Sequence, residues 1–242
     1  MRTIFFYIYF GVYMLITLLM EVRLNHIKKT KPNEEYEKEL HKIIMKWSRN
    51  MLKAAGVTVN VKGIENIPDE PCVFVSNHQG NFDFLAMLAY IDKSLGFIAK
   101  KEILKLRIVS SWMKKMHCVF INREDIRDSL NAINTGVENV KNGYSMAIFP
   151  EGTRSKSSNL GEFKKGALKL ATKANAPVVP TIVDGSYKIF EDGHGKIKSG
   201  TINVSFLKPI YIEEMDRSEK AKLPEILREK INTELENIKD NK

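Results

Sequence analysis

Hydrophobic and polar positions along the 242-residue chain fall into three regimes. Residues 3–20 are almost entirely apolar and uncharged; an aromatic first half (Phe5, Phe6, Tyr7, Tyr9, Phe10, Tyr13) gives way to Leu15, Ile16, Leu18, Leu19 and Met20. After Pro32, Tyr36, Leu40, Ile43, Ile44, Trp47, Met51 and Leu52 recur at the helical period. They predict an amphipathic helix over about residues 33–56, with Asn33 as cap, Glu34 and Glu35 in the first turn and Gly56 as terminator. Its apolar face is expected to pack on the domain that follows. From residue 71 onward, short β-branched and aromatic runs alternate with segments of helical period. Strands are predicted at 71–75, 95–99, 118–121, 145–149, 178–183 and 201–206. Helices are predicted at 82–88, 107–116, 126–141, 163–174 and 218–238, with Ile126, Leu130, Ile133 and Val137 sharing one face of the third. The alternation predicts an α/β fold, a mainly parallel sheet flanked by helices on both faces, preceded by an N-terminal membrane-associated helix.

Two polar clusters stand where predicted strands end. The first strand runs into Asn77-His78-Gln79-Gly80-Asn81, and Asp83 falls in the first turn of the next helix. A carboxylate there can fix the histidine tautomer and leave the second ring nitrogen free to take a proton. The same positions also suit a plain loop histidine beside a helix-start carboxylate. The strand at 145–149 runs into Pro150-Glu151-Gly152-Thr153-Arg154-Ser155. Arg154 presents a planar fork suited to phosphate or carboxylate, Gly152 permits close backbone approach, and Thr153 and Ser155 add hydroxyl donors. A surface turn in which Glu151 pairs with Arg154 is the competing account. Ligands of parallel α/β sheets bind beyond the carboxyl ends of the strands, so both clusters are expected on one rim.

Taken together, Asn77-His78-x-x-x-x-Asp83 and Phe149-Pro150-Glu151-Gly152-Thr153-Arg154-Ser155 resemble the motifs of the glycerolipid acyltransferases, the bacterial 1-acylglycerol-3-phosphate acyltransferases in particular. Val119-Phe120-Ile121-Asn122-Arg123 resembles the family's intermediate motif, Ala176-Pro177-Val178-Val179-Pro180 its last, and Gly63 to Pro68 its lead-in. The likeness spans roughly residues 57 to 185.

The resemblance implies transfer of an acyl group from an acyl thioester to the sn-2 hydroxyl of 1-acylglycerol 3-phosphate, giving phosphatidic acid. His78 would be the general base and Asp83 its orienting partner. Arg123, Glu151, Gly152, Thr153 and Arg154 would bind substrate, with Lys100 or Lys101 as helpers. The co-substrate would be acyl-CoA or acyl-ACP, and no cofactor or metal is implied. His26, His41, His117 and His194 lack the paired spacing of a zinc site. Another acceptor, such as glycerol 3-phosphate, and a thioesterase or a noncatalytic lipid-binding protein are the alternatives.

Composition narrows the setting. The formal net charge of +9 suits anionic membrane, nucleic acid or phosphorylated ligands. No nucleic-acid-binding motif or aromatic platform accompanies the basic residues, which sets nucleic acid aside. Two cysteines, Cys72 and Cys118, supply neither a disulfide framework nor a cysteine metal site. The apolar start is borderline for a bilayer span, which needs about 20 residues and at least about 17, so a short span and entry into one leaflet both fit. Leu18-Leu19-Met20-Glu21 offers no signal-peptidase site, so the segment is expected to be retained. Arg23, Lys28, Lys29 and Lys31 outweigh Arg2 and by the positive-inside rule are expected to place the rest of the chain on the cytoplasmic side; the resemblance implies that the membrane is a bacterial cell membrane. The expected division is a membrane anchor with basic flank at 1–31 and an acyltransferase domain at 32–242.

Overall fold

The computed structural model describes residues 1–164 and 166–240. Lys165, inside the predicted helix at 163–174, and the last two residues of the predicted 32–242 domain lie outside the described residues. Seven strands form one sheet: β1 (Val57–Lys62), β2 (Val73–Ser76), β3 (Leu95–Lys100), β4 (Val119–Ile121), β5 (Ser145–Ile148), β6 (Val178–Asp184) and β7 (Gly200–Phe206). Their order is β1-β7-β6-β2-β5-β3-β4. The five strands from β6 to β4 run parallel. At one edge β7 turns antiparallel to β6, and β1 pairs parallel with β7.

The helices are α1 (Arg2–Thr30), α2 (Asn33–Ala55), α3 (Asp83–Tyr90), α4 (Arg107–Lys115), α5 (Ile126–Lys141), α6 (Lys169–Ala174) and α7 (Arg217–Asp240). Successive strand residues point to opposite faces, so the sheet builds two cores. Phe74, Ala147, Val179 and Val183 pack with residues of α1 to α4. Val73, Val75, Met146, Ile148 and Ile182 pack with α5, α6 and α7. Asp125 caps α5 by accepting from the amides of Arg127 (2.8 Å) and Asp128 (3.2 Å). Gly56 ends α2 in the left-handed conformation, φ 72°.

Four local expectations are corrected. Strand β1 was not predicted, although its valines at 57, 59 and 61 alternate with Thr58, Asn60 and Lys62. Asn33 lies inside the first turn of α2, after Pro32, and caps nothing. The predicted 163–174 helix shrinks to α6, because the chain before it folds back over the Glu151 turn: the Lys164 amide donates to Pro150 O at 2.9 Å. On α5, Val137 is buried, but Ile126 is 86% and Leu130 47% exposed, because α5 overhangs the sheet at its N-terminal end.

Helix α1 extends ten residues beyond the apolar stretch and lies along the domain. Polar contacts tie it down from end to end: Arg2 donates to Ala55 O, the Tyr13 hydroxyl accepts from Asn50, Trp112 donates to Thr17 Oγ1, and Glu21 meets Ser111 and Lys115. The opposite face leaves Ile4, Phe5, Ile8, Leu15, Leu19 and Val22 exposed.

Candidate active site

The site is assembled where the parallel strands end. Strand β2 finishes at Ser76, and the side chains of Asn77 and Gln79 tie its loop to the end of β6. Asn77 Nδ2 donates to Val183 O and its Oδ1 accepts from the Val183 amide, both at 2.8 Å. Gln79 Oε1 accepts from the Gly185 amide at 2.9 Å. These bonds hold the backbone on either side of His78 and free its ring to face the rim.

His78 Nδ1 lies 2.7 Å from Asp83 Oδ2. Asp83 is fully buried in the first turn of α3, and His78 keeps 17% of its side chain exposed. Asp83 Oδ2 also accepts from the Gly80 amide at 3.0 Å, and Oδ1 accepts from the Ser186 hydroxyl. With both oxygens occupied by donors, the carboxylate is in its acceptor form and His78 carries its proton on Nδ1. Among the described residues Nε2 has no hydrogen-bond partner. The ring stacks on Phe149 at the end of β5, with centroids 4.1 Å apart, which fixes its tilt.

The second loop is built around a buried carboxylate. Glu151 Oε1 accepts from the His78 amide at 2.6 Å, and Oε2 accepts from the Gly161 amide at 2.9 Å. Burial pushes this carboxyl above its ordinary value, and the two amides partly offset that shift. Both oxygens being so engaged, Glu151 joins the two loops and does not pair with Arg154. A glutamine here would satisfy only one of the two amides. Gly152 adopts φ +71°, with the Lys164 side chain lying over it. Its carbonyl accepts from Arg123 Nη1, which brings the end of β4 to the same place. Thr153 is exposed, and Lys100 and Lys101 are exposed at the end of β3. Arg154 is 34% exposed and pairs with a residue the sequence reading did not reach: its Nη1 is 2.9 Å from Glu191 Oε1.

The segment following β6 is thus a third wall of the site. Ser186 holds Asp83, the Gly185 amide holds Gln79, and Glu191 holds Arg154 and the Asn81 amide (2.8 Å). Its signal was the position of residues 184–191 directly after a predicted strand, at the end where parallel sheets bind ligands. Several backbone amides are consumed internally. Those of His78, Gly80, Asn81, Gly152 and Ser155 all donate within the loops. The cysteines take no part: both are free and buried, with burial raising Cys72 to about 11 and Cys118 to about 12.

Arranged this way, the rim offers a base with an open nitrogen, a fixed tautomer and two arginines, Arg123 and Arg154, brought to it from separate strand ends. It can remove a proton from a hydroxyl whose molecule carries an anionic group.

Comparison with known proteins gives the same direction. The Acyltransferase family model matches residues 58–184, just over half of the chain. The chain is 37% identical over 186 residues to a chloroplastic 1-acyl-sn-glycerol-3-phosphate acyltransferase of Brassica napus, covering 76% of this chain and 54% of the relative. It therefore spans about half the length of that plant protein. It is 31% identical over 228 residues to a probable 1-acyl-sn-glycerol-3-phosphate acyltransferase of Mycoplasma genitalium, covering 88% of this chain and 83% of that one. The fold superposes on the crystal structure of the 1-acyl-sn-glycerophosphate acyltransferase PlsC of Thermotoga maritima with a TM-score of 0.87 at 28% identity. That match covers 98% of this chain and 95% of the other.

Proposed function

The chain belongs to the acyltransferase family, and from its site we infer that it transfers an acyl group from an acyl thioester to the sn-2 hydroxyl of 1-acylglycerol 3-phosphate, forming phosphatidic acid. The observation that carries this reading is the placement of His78, held at 2.7 Å by buried Asp83, on the same rim as Arg154 and Arg123. In the transfer step His78 Nε2 takes the proton of the acceptor hydroxyl as its oxygen bonds to the thioester carbon. The tetrahedral intermediate then expels the thiolate, which recovers the proton from the imidazolium. Asp83 supports the imidazolium through Nδ1. No serine or cysteine nucleophile is needed, because the acceptor supplies the oxygen and the thiolate is a good leaving group. Arg154, with Arg123 beside it, receives the phosphate. The thiol carrier is coenzyme A or acyl carrier protein, and the basic rim suits either.

The same reading assigns residues 1–31 to the membrane and the remainder to the acyltransferase domain. A 29-residue helix is about 43 Å long, enough to cross a bilayer core of about 30 Å. The bonds from Arg2 to Glu21, however, fasten it lengthwise to the domain, so a crossing by residues 3–20 would carry Asn50 and Trp112, bonded to Tyr13 and Thr17, into hydrocarbon. Entry of the exposed face into one leaflet buries the apolar side chains and leaves those pairs in place. The cations at 23–31 support the cytoplasmic surface of a bacterial membrane, where they meet anionic headgroups.

Two measurements test these statements. Purified protein in phospholipid vesicles is expected to release thiol from an acyl thioester only when lysophosphatidic acid is added; release at the same rate without it would assign a thioesterase. Replacing Ile8, Leu15 and Leu19 together with serine is expected to lower binding to anionic vesicles more than tenfold, since each buried apolar side chain contributes about 1.5–3 kcal/mol. All three are exposed, so the fold is kept. Unchanged sedimentation with vesicles would remove α1 from the membrane contact.

A further inference from the structure

Glu191 stands between the two halves of the site and is not used by the transfer step. It lies in the turn after β6, in a loop held by Asp192 N to Tyr187 O (2.9 Å) and Gly195 N to Phe190 O (3.2 Å). Its side chain is only 3% exposed. One oxygen, Oε1, accepts both from the Asn81 amide, two residues before Asp83, and from Arg154 Nη1. The other, Oε2, is buried with no hydrogen-bond partner among the described residues. It rests against Gly80, where an added Cβ would come within 2.4 Å of it. Any side chain at position 80 would force the carboxylate to shift.

A buried carboxylate with an unpaired oxygen is unfavourable for folding, and burial raises its pKa above the ordinary value. A leucine or methionine of similar size would fill the space without that penalty. Such groups persist where their charge has a use, and among the described residues the charge of Glu191 is paired with the arginine assigned to the phosphate. An arginine has five N–H donors, and Glu191 engages Nη1 only. Among the described residues Nε and Nη2 have no hydrogen-bond partner, while Nη1 holds the guanidinium to Glu191.

We propose that Glu191 is a positioning residue for the acceptor: it aims Arg154 at the phosphate of the lysolipid and ties that arginine to the Asn81 loop, so that phosphate binding places the acceptor hydroxyl at His78. The proposal rests on the functional reading given above. It separates two effects that one substitution would merge. Glu191→Gln keeps an oxygen for the Asn81 amide and removes the charge that orients Arg154. Glu191→Ala removes both.

Steady-state kinetics of the full chain in vesicles, varying lysophosphatidic acid and acyl thioester in turn, provide the test. E191Q is expected to raise the KM for lysophosphatidic acid about tenfold, leave the KM for the thioester within twofold, and keep kcat within threefold. E191A is expected to show the same KM change with a clear loss of kcat. R154A combined with E191Q is expected to match R154A alone, because the two act as one unit. Thermal unfolding of E191Q within a few degrees of wild type separates these effects from loss of fold, and R154A, on a half-exposed side chain, serves where E191A does not fold. An unchanged acceptor KM in E191Q, equal rises in both KM values, or independent multiplication in the double variant overturns the proposal alone. A wild-type protein that does not acylate lysophosphatidic acid overturns the functional reading and this proposal with it.

Discussion

Replacing His78 with alanine is expected to lower kcat for acyl transfer by about 10³-fold while leaving the KM for both substrates within a few-fold of wild type. A positioned general base contributes roughly 10²–10⁴ in rate, and among the described residues no second base is bonded into its place. Asp83 lies behind the ring, fully buried, and Glu151 has both oxygens on backbone amides. The fold should survive. His78 contributes one stacking contact, to Phe149, and Asp83 keeps the Gly80 amide and the Ser186 hydroxyl after the ring is gone. A loss of about 2–4 kcal/mol follows from one hydrogen bond to a charged group and the stack. That corresponds to a fall in Tm of about 5–15 °C for a chain of this size. Activity within tenfold of wild type in a folded H78A protein would sink the mechanism. Lost activity with lost vesicle binding would point instead to a collapsed rim.

Much of this site was legible because its chemistry is local. His78 and Asp83 are five residues apart, at the junction of a strand and a helix whose hydrophobic patterns are plain, and the Glu151-to-Ser155 turn follows another such strand. Knowing that parallel strands end on one rim then brings residues 73 positions apart together, and the His78 amide does meet Glu151. The third wall obeys a different logic. Ser186 reaches Asp83 over 103 residues and Glu191 reaches Asn81 over 110, and neither carries a motif of its own. Their roles exist only once β6 is laid beside β2. The surface turn with a Glu151–Arg154 pair fails for the same reason: Glu151 points inward to two amides, and Arg154 is taken by a carboxylate 37 residues beyond it.

The fold shows a parallel division. Buried central strands announce themselves as continuous apolar runs, whereas β1, at the sheet edge, has only three half-buried valines between exposed polar residues. The reversal of β7 is invisible in its composition, since a strand reads alike in either direction. Ile126 and Leu130 show the converse limit. Their spacing marks a helix face, but spacing does not reveal how far a helix projects beyond the sheet that would cover it.

Asp83→Asn is the second substitution with a large expected effect, and it separates the two roles that the position of Asp83 had left joined. Asparagine suits the start of a helix about as well as aspartate, so a helix-start role alone predicts little change. The orienting role predicts a kcat lower by about 10²-fold, equivalent to about 2.7 kcal/mol of lost support for the imidazolium, with both KM values held. The surrounding donors decide which way the amide sits. Gly80 N–H requires an acceptor, so the amide oxygen stays toward Gly80 and His78, and the NH₂ turns to Ser186, whose hydroxyl can accept as well as donate. His78 then keeps its proton on Nδ1, and the fold loses only the charge. Asp83→Ala behaves differently. It leaves the His78 ring nitrogen, the Gly80 amide and the Ser186 hydroxyl facing an empty space, at about 1–3 kcal/mol for each group that finds no water, so activity and Tm fall together. Wild-type kcat in D83N with an unshifted Tm would reduce Asp83 to a helix-start residue. Equal losses of Tm in D83N and D83A would show that its charge serves the fold and not the imidazole.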